Sequence, residues 1–175
     1  DPNYINNMDF DDLKGMFIPT EKAGPLPMLD ERLASLKAIG KAFHRFGGAA
    51  GMLKMSNYSA PRLVSLLTES MPSWRDTSIY KGVELPFHKR AWLCAAMCYE
   101  RFQNDYTRTL SDTDQIPAFA DYRLPQYLRG KGILKYSPKL STLVDNKATL
   151  DADSPAEIEI RASTLLAITQ LIEQT

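Results

Sequence analysis

An all-α helical bundle, interrupted by one short hairpin or irregular loop, is the fold this sequence predicts. Three observations carry that reading. Apolar residues recur at helical spacing along most of the chain, helix-starting Asp and Ser-Pro signals punctuate it, and only the stretch Thr77 to Pro86 lacks both. The 175 residues, 44% apolar and 24% charged, suit one domain built around a real hydrophobic core. There is no internal repeat and no low-complexity tract, so residues 1–175 read as a single helical domain of seven or so helices.

The elements follow in order. Asp9 is placed to cap a short helix that would bury Phe10, Leu13 and Phe17, and the Gly- and Pro-rich loop from Ile18 to Pro27 ends it. Leu29, Leu33, Leu36, Phe43 and Phe46 trace one stripe of a long amphipathic helix, with Gly47-Gly48 as its stop. Ser59-Ala-Pro-Arg62 reads as a cap and early turn, with Leu63, Leu66 and Leu67 inward, and Met71-Pro-Ser-Trp-Arg-Asp76 closes that helix. β-branched and aromatic residues around a Lys81-Gly82 turn suggest the hairpin. Phe87 to Phe102 is apolar almost all round, the pattern of a helix in the middle of a bundle. Pro117 opens or interrupts the next segment; Pro125 starts a short helix that Gly130 and Gly132 end. Ser137-Pro138 repeats the cap-then-proline signal. Ser154-Pro-Ala-Glu157 forms a capping box that launches a last helix burying Ile158, Ala162, Leu165 and Ile172.

Charge and special residues narrow the function. Lys plus Arg and Asp plus Glu both total 21, so the chain lacks the broad basic surface that grips a nucleic-acid backbone. A small phosphorylated ligand in a local basic pocket suits these numbers better than a duplex. Cys94 and Cys98 share a helical face at a spacing that disfavours a disulfide, and they read as buried thiols of a reduced, intracellular, cytoplasmic protein. His44 and His88 have no ligand cluster around them, so neither a structural metal nor a cofactor is expected. No run of about 20 apolar residues is present to span a membrane. The chain opens at Asp1-Pro-Asn-Tyr4, with neither initiator Met nor signal-type run, which reads as a trimmed N-terminus.

Three segments are too idiosyncratic for packing alone. Phe87-His-Lys-Arg-Ala-Trp92 sets two cations at the start of the apolar helix, where they sit badly against the helix dipole; a solvated face and an anion-binding or catalytic role both remain open. Phe119-Ala-Asp-Tyr-Arg-Leu-Pro-Gln126 wedges Asp121 among aromatic residues. That aspartate is either an N-cap or partner of Arg123, or a partly desolvated functional carboxylate. In Glu157-Ile-Glu-Ile-Arg161, Glu157 has a capping duty, Glu159 and Arg161 do not face each other, and Arg161 is free to reach a carboxylate on another helix.

These segments, together with Ser73-Trp-Arg-Asp76, Tyr80-Lys-Gly82 and Gly132-Ile-Leu-Lys-Tyr-Ser137, resemble the queuosine salvage protein family in order and spacing over about 90 residues. The Phe-Ala-Asp-Tyr-Arg-x-Pro-Gln string is the most specific of them. The resemblance implies a helical fold related to helix-hairpin-helix DNA glycosylases. It also implies a hydrolase that frees queuine from queuosine 5′-phosphate for return to transfer RNA. Position by position, Asp121 matches the family's essential aspartate and Lys89 its essential lysine, whereas His88 stands where Tyr is expected and Trp92 where Gln is expected. It further implies an N-terminal module that this chain lacks, leaving 1–175 as the helical catalytic domain.

Physical chemistry supports the same residues. Breaking a C1′–N bond builds positive charge on the ribose, and a carboxylate beside C1′ either stabilises it or activates water; the sequence leaves nucleophile, base and electrostatic roles for Asp121 open. Lys89 is suited to hold that carboxylate ionised or to bind a ribose hydroxyl. Trp74, Tyr80, Trp92, Phe119 and Tyr122 are candidates for the slot that takes the flat base, Arg90 and Arg123 for the phosphate, and His88 for a further substrate contact. The expected partner is a small nucleotide, with no polymeric nucleic acid and no membrane. Competing readings are a glycosylase acting on DNA or RNA and a helical interaction module without chemistry.

Overall fold

The computed structural model describes residues 1–17, 24 and 26–174. Among them are nine α-helices and one β-hairpin. The loop expected over 18–27 lies largely outside the described residues.

The first two helices dock on the third. α1 (Pro2–Asn7) is capped by Asp1, whose side chain accepts the Asn3 N–H at 2.8 Å. α2 (Phe10–Met16) starts, as expected, on Asp9, in a capping box with Asp12. Only Leu13 of its apolar residues is buried; Phe10 and Phe17, expected inward, are exposed because Met8 and Leu13 alone reach Leu33. α3 (Leu29–Phe46) is met so closely by α1 that a Cβ at Gly40 would come within 2.7 Å of Asn6 Oδ1.

Gly47, in the left-handed region at φ 72°, ends α3 as read from the sequence, but Gly48 at once begins a helix that was not anticipated, α4 (Gly48–Met55). α5 (Ala60–Ser70) follows Ser59, whose side chain makes no capping bond, so its expected cap is positional only. α3, α4, α5 and α6 (Lys89–Phe102) enclose the main core, with Met52, Leu63, Leu67, Met71 and Ala95 buried in it. Burying each such large side chain contributes about 1.5–3 kcal/mol. α6 is not the wholly buried middle helix its composition suggested. Ala91 and Ala95 are buried, Cys94 and Cys98 are only partly so, and Leu93 and Met97 are exposed.

The expected hairpin forms from β1 (Thr77–Tyr80) and β2 (Val83–Pro86), paired antiparallel with Tyr80 opposite Val83. Positive φ at both Lys81 (50°) and Gly82 (81°) gives the turn the twist that a two-residue hairpin loop requires. Pro117 lies in the extended stretch before α7 (Arg123–Gly130). α8 (Pro138–Asp145) and α9 (Pro155–Glu173) start on Ser137 and Ser154, whose hydroxyls cap as expected. The capping box at α9 is only half made: Glu157 donates its N–H to Ser154, but its carboxylate turns to Arg161. On α9, Ile158 is buried, Ala162 and Leu165 are partly so, and Ile172, expected inward, is exposed. A second, smaller core of Phe87, Ala120 and Ile158 ties the hairpin, the start of α6 and α9 together. That core positions the candidate site.

Candidate functional site

Lys89 is the first residue of α6 and Asp121 stands two residues before α7, so both side chains leave the backbone at helix starts. Buried Phe87 and Ala120, their near neighbours in sequence, meet in the smaller core and bring the two starts together. Lys89 Nζ lies 3.9 Å from Asp121 Oδ2, with each side chain about one-third exposed (34% and 31%). An ion pair this accessible is worth only about 0–1 kcal/mol to stability, so folding alone gives little reason for it.

Asp121 is held from the other side as well. Its Oδ1 accepts the N–H groups of Arg123 (2.8 Å) and Leu124 (3.3 Å), and its own N–H donates to the Phe119 carbonyl at 2.7 Å. One oxygen therefore caps α7, which fixes the carboxylate's orientation, while the other faces the ammonium. The capping and functional readings of this aspartate are compatible because they use different oxygens. Arg123 is not its ion-pair partner; that guanidinium lies over the Tyr122 ring, 5.3 Å from the centroid.

Asp121 also lines a cavity of about 740 Å³, with Tyr122, Gln126, Arg129, Tyr136, Glu157 and Arg161 among its walls. Its charges are largely tied. Arg129 makes a bidentate pair with Asp145 (2.7 and 2.9 Å) and lies over the Tyr136 ring. The Arg129 hydrogen bond holds the Asp145 carboxyl below its ordinary range. Arg161 donates to Asp76 Oδ2 at 2.6 Å, stands 3.5 Å from Glu157 Oε1, and stacks 3.9 Å from the centroid of the Phe87 ring. Glu157 Oε2 is buried with no hydrogen-bond partner among the described residues. Burial alone would raise the Asp76 carboxyl. The Arg161 hydrogen bond, the Lys89 N–H and nearby positive charge outweigh it, leaving Asp76 below its ordinary value.

The other residues singled out from the sequence disperse. Tyr122 lines the cavity but is largely exposed. Phe119 is half-buried beside Asp121. The Tyr80 hydroxyl donates to Glu159. His88 stands at the N-terminal cap position of α6 with φ 45° but its side chain makes no capping bond, and burial lowers its imidazole below the ordinary value. Trp92 packs against the main core. Trp74 lines a different, apolar cavity of about 550 Å³ between α3 and α6, shared with Phe43, Met52, Leu67, Cys94 and Cys98. Arg90, one of the two residues read as phosphate ligands, points to the Ser73 carbonyl at 3.4 Å and not into the Asp121 cavity.

Sequence reasoning missed Asp76, Arg129, Tyr136 and the reach of Glu157. Arg161 was expected to find a carboxylate on another helix; it finds Asp76 in the loop before β1, 85 residues away. The available signal was Asp76 itself, an acidic residue closing an otherwise apolar and basic stretch just before a strand. Among the described residues no three His, Cys, Asp or Glu side chains group as metal ligands would, and no helix is long and apolar enough to cross a membrane.

Comparison with known proteins bears on this geometry. A family model described as "Queuosine salvage protein" matches residues 1–175. The chain is 34% identical over 98% of its length to a queuosine 5′-phosphate N-glycosylase/hydrolase of Sphaerobacter thermophilus, of which it covers 53%. It is 34% identical over 85% of its length to the protein of that name from Schizosaccharomyces pombe, covering 43% of it. With the one from Mus musculus it shares 31% identity over 95% of its length, covering 49% of that relative. The chain thus spans about half the length of the curated relatives it matches.

Proposed function

Because the chain belongs to the queuosine salvage protein family, we propose that it carries the catalytic site of a hydrolase that cleaves the N-glycosidic bond of queuosine 5′-phosphate and releases queuine. The observation that carries the reading is that Asp121, paired with Lys89, lines the 740 Å³ cavity and lies within the string most particular to the family. On this reading residues 1–175 act as one helical catalytic domain of the type seen in helix-hairpin-helix DNA glycosylases. Its substrate is a free nucleotide, its setting the cytoplasm, and it uses no cofactor.

The chemistry follows from the geometry. As the C1′–N bond breaks, its electron pair leaves with the base, which takes up a proton, and the ribose becomes cation-like. Asp121, oriented through Oδ1 by two backbone N–H groups, presents Oδ2 to that centre. There it stabilises the developing charge or accepts a proton from the water that adds to C1′. Lys89 pairs with Oδ2 and helps hold the carboxylate in place. Arg129 and Lys147, cations lining the cavity, are better placed than Arg90 to receive the phosphate.

The test is incubation with queuosine 5′-phosphate and with unphosphorylated queuosine, following free queuine by mass spectrometry. Release from the nucleotide, faster than from the nucleoside, is the expected outcome, because binding energy at the remote phosphate positions the reacting bond. No release from either, by folded protein, contradicts the proposal. A glycosylase acting on polymer would bind DNA or RNA with an affinity falling steeply with salt, and the balanced charge of the chain counts against it.

A further inference from the structure

Lys89 begins a helix with a second cation beside it, an arrangement that the helix dipole opposes. The backbone also turns through the left-handed region at His88, which is uncommon for a residue with a side chain. One residue answers both problems. The Asp76 carbonyl accepts the His88 N–H at 2.9 Å, and Asp76 Oδ2 accepts the Lys89 N–H at 3.1 Å. The Asp76 carboxylate therefore sits at the positive end of α6, where an anion offsets the neighbouring cations. It is itself clamped from α9: Arg161 donates to the same oxygen at 2.6 Å, while the Phe87 ring and Glu157 hold the guanidinium in place. Both side chains are mostly shielded, Arg161 at 16% and Asp76 at 27% exposure, so neither is an ordinary surface partner.

We propose that Asp76 is a positioning residue, locked by Arg161, that sets the first turn of α6 so that Lys89 meets Asp121. Asp76 acts through the Lys89 backbone, with no hydrogen bond to either member of the pair's charged ends. Lys89 carries a long, flexible side chain, and its 3.9 Å approach to Asp121 depends on where its Cα is held. The pair Asp76–Arg161 fixes that point by joining the loop before β1, the start of α6 and α9. The catalytic meaning of the placement rests on the glycosidase reading; the placement itself does not.

The test separates the two. Lysines are reductively methylated with ¹³C-formaldehyde, and the Lys89 signal is identified by its loss in Lys89→Arg. Asp121→Asn then gives the position of that signal when its partner's charge is removed. In Asp76→Ala the Lys89 signal is expected to move to the Asp121→Asn position. Over the same change kcat should fall about 10- to 100-fold with KM changed less than about threefold, the scale expected of a misplaced reacting group. Asp76→Asn, which keeps an acceptor for the Lys89 N–H, should recover most of both. Should Asp76→Ala, with Arg161 left to Glu157 alone, fail to fold, Asp76→Ala/Arg161→Met removes both members of the pair together and carries the same expectation for the signal. A folded variant lacking the Asp76 carboxylate and any replacement acceptor, with Lys89 still at the parent position, overturns the proposal. So does a loss confined to KM. If the parent releases no queuine, the glycosidase reading fails, and the position of the Lys89 signal alone still decides the role of Asp76.

Discussion

The cavity beside Asp121 and the cavity beneath Trp74 are comparable in size, about 740 and 550 Å³, but they differ in how many charged groups line them. The second is walled by Phe43, Met52, Leu67, Trp74 and two thiols, residues that recur at helical spacing on α3 to α6. The first adds carboxylates, guanidinium groups and tyrosines to apolar side chains such as Val144, Leu150 and Ile160, drawn from α7, the start of α9 and the segments around α8. Apolar walls carry the cost of unfolding but offer no orienting group. The charged wall holds its groups at helix ends: Asp121 by backbone N–H groups at the start of α7, Arg129 and Asp145 by each other at the ends of α7 and α8. The difference teaches where to look for chemistry in this chain: at the caps, and not along the stripes.

Substitutions that act on one cavity and spare the other test this division. Lys89→Met removes the ammonium and keeps much of the stem. It is expected to lower kcat by roughly 10²–10³-fold, while stability shifts by no more than about 1 kcal/mol, since the pair it leaves is one-third exposed. Parallel kinetics and thermal melts measure the two; a large loss of stability with normal turnover would make Lys89 structural. Leu67→Ala should show the converse. Leu67 is 4% exposed and lines the apolar cavity, so its truncation should cost about 2–5 kcal/mol in a denaturant melt. Activity per folded molecule should be kept.

The smallest effect is chemical. Cys94 and Cys98 share a hydrogen bond that favours the Cys98 thiolate, bringing Cys98 down to about 7 against the opposing effect of burial. The same bond, then burial, pushes the Cys94 thiol up. Alkylation by iodoacetamide, mapped by mass spectrometry, should mark Cys98 before Cys94, with a rate that rises as pH passes through about 7. Equal labelling of the two at every pH would mean that they do not share a proton.

Legibility from sequence follows the same division. The stripe of α3, the inward face of α5, the hairpin turn at Lys81-Gly82 and the Ser137 and Ser154 caps are local signals, and they were readable because each depends on neighbours within a few residues. α1 was missed because six residues are too few to show a period, and α4 because Gly47-Gly48 reads as a stop when only the first glycine is one. Leu93 and Met97 read as buried since an apolar run does not say which of its faces is covered. Lys89 and Asp121 were singled out, but the partners that define their surroundings were not. Asp76 and Arg161 lie 85 residues apart, and no local pattern announces a contact of that range. Trp74 and Trp92 suited a base-binding slot by residue type; composition cannot distinguish an aromatic wall of a site from an aromatic piece of core, and here both pack against the core.

The central claim, that Asp121 faces the reacting bond with one oxygen while capping α7 with the other, is tested most directly by Asp121→Asn. The amide keeps an acceptor for the Arg123 and Leu124 N–H groups, so the cap survives and the melting temperature should change little. The negative charge is lost. Single-turnover cleavage of queuosine 5′-phosphate should therefore slow by roughly 10²–10⁴-fold with binding largely kept. Both are measured on one sample, the melt and then the turnover. A folded Asp121→Asn protein that releases queuine at near the parent rate would contradict the account.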